Sequence, residues 1–379
     1  MRKISIAPSS AGVWGPNDGC QGAPAMRAKV PREPFGQAAA EGTAAHAVAE
    51  GMILEAAGNY SRRTLGIGEV YKNGVVITRE MHDSARIYAD DVIGEMRKRS
   101  VFTPVVEGKH NITRVHPGQW GYTDCDLYDK KHRSLIVWDY KNGRTPVEVV
   151  GNWQLINYVA ALLEKYEIDG LEDQRTTVIM RIVQPNAYHR DGIIREWRVM
   201  ACDLRPQINI LAKNAAAAMS GTAPCRTGTH CKWCSARTVC PAAMAAGTAL
   251  LEMVGDPNPM ELTPTQVAAQ YELALRAKEH IAGLLTGYTQ QMLALAKDGG
   301  VPGWSVAHGR GSVGWAIPAE GVQQLGTIAG VDLLKPAAVL TPKQAEEAGV
   351  PANLIEMYSK VTPGKLCPQK VDTKELFNG

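Results

Sequence analysis

WGYTDCDLYD (Trp120–Asp129) and SLIVWDYK (Ser134–Lys141), joined by the polar KKHR, carry the pattern from which the fold class follows. Both runs are rich in aromatic and apolar residues and are bounded by turn-forming residues, which predicts adjacent antiparallel strands. Upstream, VVEGKHNITRV (Val105–Val115) and the turn-like HPGQ add a third strand, giving a three-stranded meander. Asp139 and Lys141 lie two apart at the end of the last strand, so a carboxylate and an ammonium share one side of an otherwise apolar run.

Working outward, FGQAAAEGTAAHAVAEGMILEAA (Phe35–Ala57) and Arg79–Arg99 read as helices. Past the meander, Pro146–Tyr166 places Val149, Val150, Trp153, Ile156, Tyr158 and Leu162 at helical spacing. TTVIMRIVQP (Thr176–Pro185) and GIIREWRV (Gly192–Val199) then alternate like strands, and Leu204–Met219 reads as a helix. Helices alternating with strands predict an α/β fold with a mixed central sheet flanked by helices. The segment from Thr222 to Met244 has too many Gly, Thr, Pro and Cys residues for regular structure and reads as a cysteine-bearing loop.

Composition shifts again near Asp256, which divides the chain into residues 1–255 and a mostly helical accessory region, 256–379. Thr263-Pro264-Thr265-Gln266 is a capping box with proline at the first helical position, so a long helix to about Lys297 is expected. Its stripe of Leu273, Ile281, Leu284, Leu285, Tyr288 and Met292 is expected to bury against the core. WSVAHGRGSVGW (Trp304–Trp315) reads as a hairpin, and Thr341-Pro342-Lys343-Gln344 as a second cap.

The totals set bounds on function. With 45% hydrophobic and 21% charged residues, the 379-residue chain has the composition of a soluble globular protein. Net charge is only +3, so a nucleic acid would have to be gripped by a local basic groove. No apolar run is long enough to span a bilayer, and MRKISIAPSSAGVW lacks the apolar stretch of a secretory signal, so a cytoplasmic protein without membrane contact is expected. Eight cysteines in such a chain read as thiols or metal ligands, not disulfides.

Two clusters carry chemistry. Asp139 and Lys141 suit phosphodiester hydrolysis, in which a carboxylate holds a hard divalent cation and a lysine positions or deprotonates the attacking water; the bland alternative is a surface ion pair. Asp124 on the preceding strand supplies a second carboxylate, although alternation puts Asp126 on the same face and cannot choose between them. Gln154 and Tyr158, four apart on a helix, share a face. His46, among alanines on the first long helix, means little alone. In the second cluster, Cys231, Cys234 and Cys240 form CxxCxxxxxC, which lets three thiolates converge on one centre. The fourth ligand is Cys20 or Cys225, and spacing leaves this open. Cys125, Cys202 and Cys367 have no partner pattern, and Trp233, with Lys232 and Arg237 nearby, either covers the centre or stacks on a nucleic acid.

Taken in order, Gly42 to His46, Gly121 to Asp124, Asp139 to Lys141 and Gln154 to Tyr158 resemble the signature of the RecB-like PD-(D/E)XK nucleases: a Gly-x-x-x-His helix, a Gly-x-x-Asp strand, an Asp/Glu-x-Lys strand and a Gln-x-x-x-Tyr helix. The resemblance implies a nuclease core whose catalytic residues are Asp124, Asp139, Lys141, Gln154 and Tyr158. It implies Mg2+ or Mn2+ held by His46, Asp124, Asp139 and the Tyr140 carbonyl.

The iron-sulfur branch of those enzymes, which includes AddB-type and CRISPR-associated exonucleases, holds a four-iron four-sulfur cluster through one early and three late cysteines. By that likeness Cys20 joins Cys231, Cys234 and Cys240, with zinc as the competing metal. The opening SSAGVWGPNDGCQGAP also looks like a phage- or prophage-borne member of the branch, acting in the host cytoplasm. The expected activity is exonucleolytic cleavage of DNA in recombination or end processing, with a single-strand annealing protein or a second copy of the chain as protein partner. The alternatives are a catalytically silent DNA-binding or assembly module on the same fold, and an endonuclease, ranked lower because no recognition domain is evident.

Overall fold

The computed structural model describes residues 2–31, 36–255 and 262–295. The hairpin expected at Trp304–Trp315 and the cap at Thr341 lie outside the described residues.

The chain runs through short helices α1 (Ala11–Trp14) and α2 (Ala23–Lys29) and long helices α3 (Gln37–Ala56) and α4 (Arg79–Arg99). There follow β1 (Val105–Asn111), β2 (Trp120–Asp129), β3 (Ser134–Tyr140), α5 (Trp153–Lys165), β4 (Thr177–Val183), β5 (Ile194–Met200) and α6 (Ala201–Met219). A 3-10 turn (Thr229–Trp233), α7 (Pro241–Gly255) and α8 (Pro264–Leu295) complete it. The five strands form one mixed sheet in the order β1-β2-β3-β4-β5. The meander is antiparallel as expected, β3 and β4 are parallel, with α5 as the crossover, and β5 closes the sheet antiparallel to β4.

Sheet and helices make three layers. Ile136, Trp138 and Tyr140 pack with α3 and α4 through Val48, Ile53, Tyr88 and Met96, while Leu135 and Val137 pack with α5 and α6 through Leu155, Val159, Leu204 and Leu211. Because both faces are covered, every residue of β3 is buried, which explains its near-continuous apolar sequence. α4 is pinned at its N-terminus by the Thr78 side chain, which accepts from Met81 N at 3.2 Å. The last turn of α5's expected span holds, but the helix begins at Trp153 instead of Pro146. Asn152 caps it, its Oδ1 accepting from Gln154 N (3.0 Å) and Leu155 N (3.1 Å), and Gly151 before it takes φ +70°.

The β1–β2 ladder contains an irregularity that decides the site. Val106 pairs with Cys125 and Gly108 with Thr123, but the rung between them, Glu107 opposite Asp124, is omitted. There Glu107 adopts φ +47°, a left-handed conformation that side chains other than glycine rarely take. Alternation inverts across this point: Thr123 and Asp126, an odd number of positions apart, share a hydrogen bond of 3.1 Å and both meet His110 Nε2 at 3.0 Å. Asp126 is therefore turned away from Asp124, against the face-sharing that simple alternation predicts. It is fully buried, and its Oδ1 also accepts from Tyr166 OH (2.7 Å) and Lys165 Nζ (3.2 Å).

The N-terminal arm is part of the core. Trp14 is completely buried, Asn214 Nδ2 on α6 donates to Gly15 O (2.7 Å), and Gln119 Nε2 donates to Ile6 O (2.7 Å). α8 begins with the capping box read from sequence, Thr263 N donating to Gln266 Oε1 (3.0 Å) and Gln266 N to Thr263 Oγ1 (3.4 Å). The helix packs against the cysteine loop, but through small residues. Gly283 lies over Lys232, and Gly287 over Arg237 and Thr238, while Arg237 Nε donates to Gly283 O at 2.8 Å. Of the expected apolar stripe, Leu273, Leu284 and Met292 are half-buried and Ile281, Leu285 and Tyr288 exposed; the buried residues of the helix are Ala277, Gly283 and Gly287, because the close approach of the loop favours small residues on that side. No described helix is long and apolar enough to cross a membrane.

Candidate active site and cysteine site

β3 ends beside the N-terminus of α5, and this junction assembles most of the acidic cluster. Lys141 Nζ lies 3.0 Å from Asp139 Oδ1 and 2.9 Å from Oδ2. Gln154 Nε2 donates to the same Oδ1 at 2.9 Å, and Gln154 Oε1 accepts from Lys141 Nζ at 3.4 Å. Tyr158 OH accepts from Gln154 Nε2 at 3.4 Å. Gly121 of β2 is where the Tyr158 ring passes: an added Cβ would stand 3.0 Å from Tyr158 Cε1 and 2.6 Å from Pro8 Cγ. The glycine of the Gly-x-x-Asp element is thus demanded first by Pro8 and then by the tyrosine of the Gln-x-x-x-Tyr element.

The remaining residues meet on the other side of the β3 backbone. Asp124 Oδ2 accepts from Tyr140 N at 2.6 Å. His46 on α3 reaches the Tyr140 carbonyl with Nε2 (3.1 Å), while its Nδ1 lies 3.1 Å from Glu107 Oε1 and 3.7 Å from Asp124 Oδ1. His46, Glu107 and Asp124 each offer a ligand atom, all within 4.8 Å of one another, a grouping able to hold a metal ion. Glu107 is absent from the sequence reading. No motif marks it, and only the positive φ, invisible in sequence, turns its carboxylate toward Asp124. Asp139, also expected as a ligand, contacts Lys141 and Gln154. Tyr140 itself is anchored in the core, its ring stacked on Tyr88 (centroids 4.9 Å apart) and its hydroxyl 2.7 Å from Ser84 Oγ.

Charge in this space is strongly coupled. Burial opposes the imidazolium of His46, yet the Asp124 and Glu107 carboxylates raise it to about 9. Burial lifts Asp124 to about 7, aided by Asp139 and Glu107 and opposed by His46 and Lys141. Burial also works against the Lys141 ammonium, but Asp139 and Asp124 hold its pKa above the ordinary lysine value. Crowded carboxylates of this kind repel one another, and a cation is one group that could relieve them.

The cysteines form a second site. Cys20, from the N-terminal arm, meets Cys225, Cys231, Cys234 and Cys240 around a single cavity. All five are free thiols. The arm and the loop are joined around it, with Arg226 N donating to Cys20 Sγ (3.3 Å), Arg226 to Asn17 O (3.1 Å) and Arg27 to Trp233 O (2.9 Å). Both contenders for the fourth ligand reach the cavity. Cys225 neighbours Cys20 and Cys240, which, after burial, push its thiol up to about 12. His230, which the sequence reading passed over, hydrogen-bonds Cys20 and Cys231, raising its imidazole to about 10. Five thiols line this cavity with Arg226, Arg237 and His230; by chemistry they are donors that iron or zinc takes, while the close ligand-atom grouping among the described residues is His46, Glu107 and Asp124. Trp233 is largely exposed, with Lys232 Nζ 5.4 Å from its ring centroid.

The comparisons with known proteins place the chain in one family. The model of a family described as a protein of unknown function, DUF2800, matches residues 5–359, and the chain belongs to that family. No curated protein matches. A solved structure described as "Crystal structure of SSO0001" aligns over 50% of this chain and 95% of its own, at 15% identity and a TM-score of 0.23, a likeness too weak to carry an argument.

Proposed function

We propose that this member of the DUF2800 family is a metal-dependent deoxyribonuclease of the RecB-like PD-(D/E)XK type that degrades DNA from an end. The observation that carries the reading is the junction of two groups across the end of β3: the Asp139–Lys141–Gln154 cluster on one side, and His46, Glu107 and Asp124 on the other. Four motif elements far apart in sequence converge there, as expected of a working site and not of a chance surface ion pair.

In this reading His46, Glu107, Asp124 and the Tyr140 carbonyl hold Mg2+ or Mn2+, and Asp139 stands beside them. The cation, when bound, polarises the phosphoryl oxygen and acidifies water. Lys141, aimed by Asp139 and Gln154, donates to the attacking water or to a phosphate oxygen and offsets the charge that builds up there. The water oxygen would bond to phosphorus as one of its protons passes to bulk water, the opposite P–O ester bond would break, and the leaving oxygen would take up a proton from solvent. Tyr158 holds Gln154, so its role is positioning.

Cys20, Cys231, Cys234 and Cys240 hold a four-iron four-sulfur cluster in the same reading, tying the N-terminal arm to the loop after α6; zinc is the competing occupant. The burial of Trp14 and the arm's bonds to Arg226 support a structural role for this centre. The activity is tested by incubating the purified protein with Mn2+ and linear or covalently closed DNA. Loss of the linear species alone is expected. Discrete fragments from the closed circle would favour an endonuclease, and no cleavage of either would favour a silent binding module.

A further inference from the structure

Beyond His46, Glu107 and Asp124, β1 and β2 continue as a ribbon with one uncovered face. Trp120 and Tyr122 are half exposed, at 50% and 48%, and meet edge to face with centroids 5.8 Å apart at 89°. Lys109 Nζ sits 4.7 Å above the Trp120 ring. Cross-strand register pairs Lys109 with Tyr122 and Asn111 with Trp120, so these side chains lie in line with Glu107 and Asp124 at the next omitted rung. The intervening Gly121 is packed against Pro8 and Tyr158 on the reverse side, which makes the ribbon a fixed platform instead of a loose hairpin.

Exposed tryptophan and tyrosine with a lysine between them are matched by a ligand carrying flat apolar faces and negative charge, which is a nucleic acid strand. The exposed ring faces select its form. The two rings stand 5.8 Å apart and perpendicular, so each offers a face to a separate base, whereas a duplex keeps its own base faces closed in the ~3.4 Å stack. Each ring therefore meets a base only where the strand is unpaired. The exposed bases of a duplex end or a single strand satisfy this, and the interior of a duplex does not.

We infer that Trp120, Tyr122 and Lys109 form a stacking track for single-stranded DNA leading into the His46–Glu107–Asp124 site. The inference rests on the nuclease reading and adds to it that the strand to be cut arrives unpaired. The track begins about two and four residues along β2 from Asp124, so the first base it holds lies one or two nucleotides from the scissile phosphate.

Binding measured on the full-length protein in EDTA separates this inference from cleavage. Fluorescence anisotropy with a short labelled single-stranded DNA and its duplex is the readout. Trp120→Ala and Tyr122→Ala are each expected to weaken single-strand binding ~10-fold, with duplex binding changed less than ~2-fold and with Trp120→Phe restoring most of the loss. Lys109→Ala is expected to lower the salt slope of single-strand binding by about one. Equal losses on duplex and single strand, or unchanged single-strand affinity in the Trp120→Ala/Tyr122→Ala double variant, would overturn the track. So would a wild-type dimer that this double variant dissociates, since the aromatic pair would then belong to an interface between copies. If the wild type binds single strands through these residues yet fails to cut with Mn2+, the nuclease reading falls and the binding result stands.

Discussion

Glu107 and Asp124 face one another across β1 and β2 at the rung their ladder omits, and Glu107 reaches that position through a left-handed backbone, φ +47°. A non-glycine residue in this conformation costs on the order of 1 kcal/mol. The strain is retained where it turns a carboxylate toward His46.

Glu107→Gly is therefore expected to act in opposite directions on stability and function. Relief of the backbone should leave the metal-free melting temperature unchanged or raise it by a few degrees, while the affinity for Mn2+ falls at least ~10-fold, as loss of one carboxylate from a hard-cation site implies. Calorimetric titration and thermal unfolding on the same preparation check both. A large loss of stability with metal affinity intact would make Glu107 a structural residue.

Asp126 and Asp124, two residues apart, are expected to behave as different kinds of carboxylate. Burial works against the ionised form of Asp126, but its bonds from His110, Tyr166 and Lys165 bring its pKa below the ordinary value. A depressed folded pKa means that its contribution is fully present above the unfolded pKa near ~3.9 and is lost as pH falls through the folded value. Asp126→Asn should destabilise the protein by ~3 kcal/mol at pH 7, a gap that narrows on acidification below about pH 4. Denaturant unfolding across pH checks this, and a pH-independent gap would contradict it. Asp124→Asn should leave the fold intact and abolish cleavage.

Much of this arrangement was legible in the sequence, and the failures have local causes. The meander, the helix after it and helix α4 followed from alternation, helical spacing and turn residues, because each is covered by apolar layers that enforce the pattern. Asp126 was misplaced because alternation assumes an unbroken strand, and the inversion at Glu107 leaves no mark in residue type. Helix α5 was begun too early because Val149 and Val150 sit at helical spacing without being helical; the Asn152 cap is the stronger signal. The stripe on α8 misled because glycines, not leucines, meet the cysteine loop. Cys20 and Cys225 could not be separated by spacing, and the fold brings both to the same cavity.

The cysteine site gives a colour test. Anaerobically purified protein is expected to be brown, with Cys231→Ala colourless and Cys20→Ser bleached likewise, and with the N-terminal arm newly open to protease in both. Cys225→Ser should keep its visible absorbance if Cys20 is the fourth ligand. Stoichiometric zinc in a colourless wild-type preparation would contradict the iron-sulfur assignment.

Gly121→Ala should disturb the active site through packing alone. Its Cβ would press on Pro8 and the Tyr158 ring, an overpacking worth ~1–3 kcal/mol. Cleavage should fall with it, because Tyr158 holds Gln154. Full activity with an unchanged melting temperature would mean that the ring moves freely, and that Tyr158 positions nothing.

The central claim is that the Asp139–Lys141 pair works beside a metal held by His46, Glu107 and Asp124. Its most direct test is the Mn2+-dependent release of soluble nucleotides from linear single-stranded DNA, comparing wild type with Asp139→Ala and Lys141→Ala at matched melting temperature and cluster content. Cleavage is expected from the wild type, none in EDTA, and a loss of at least ~100-fold in each variant, the scale of removing one preorganised electrostatic group from a reaction centre. Variants that cut as fast as the wild type, or a folded, metal-loaded wild type that leaves the strand intact, would contradict it.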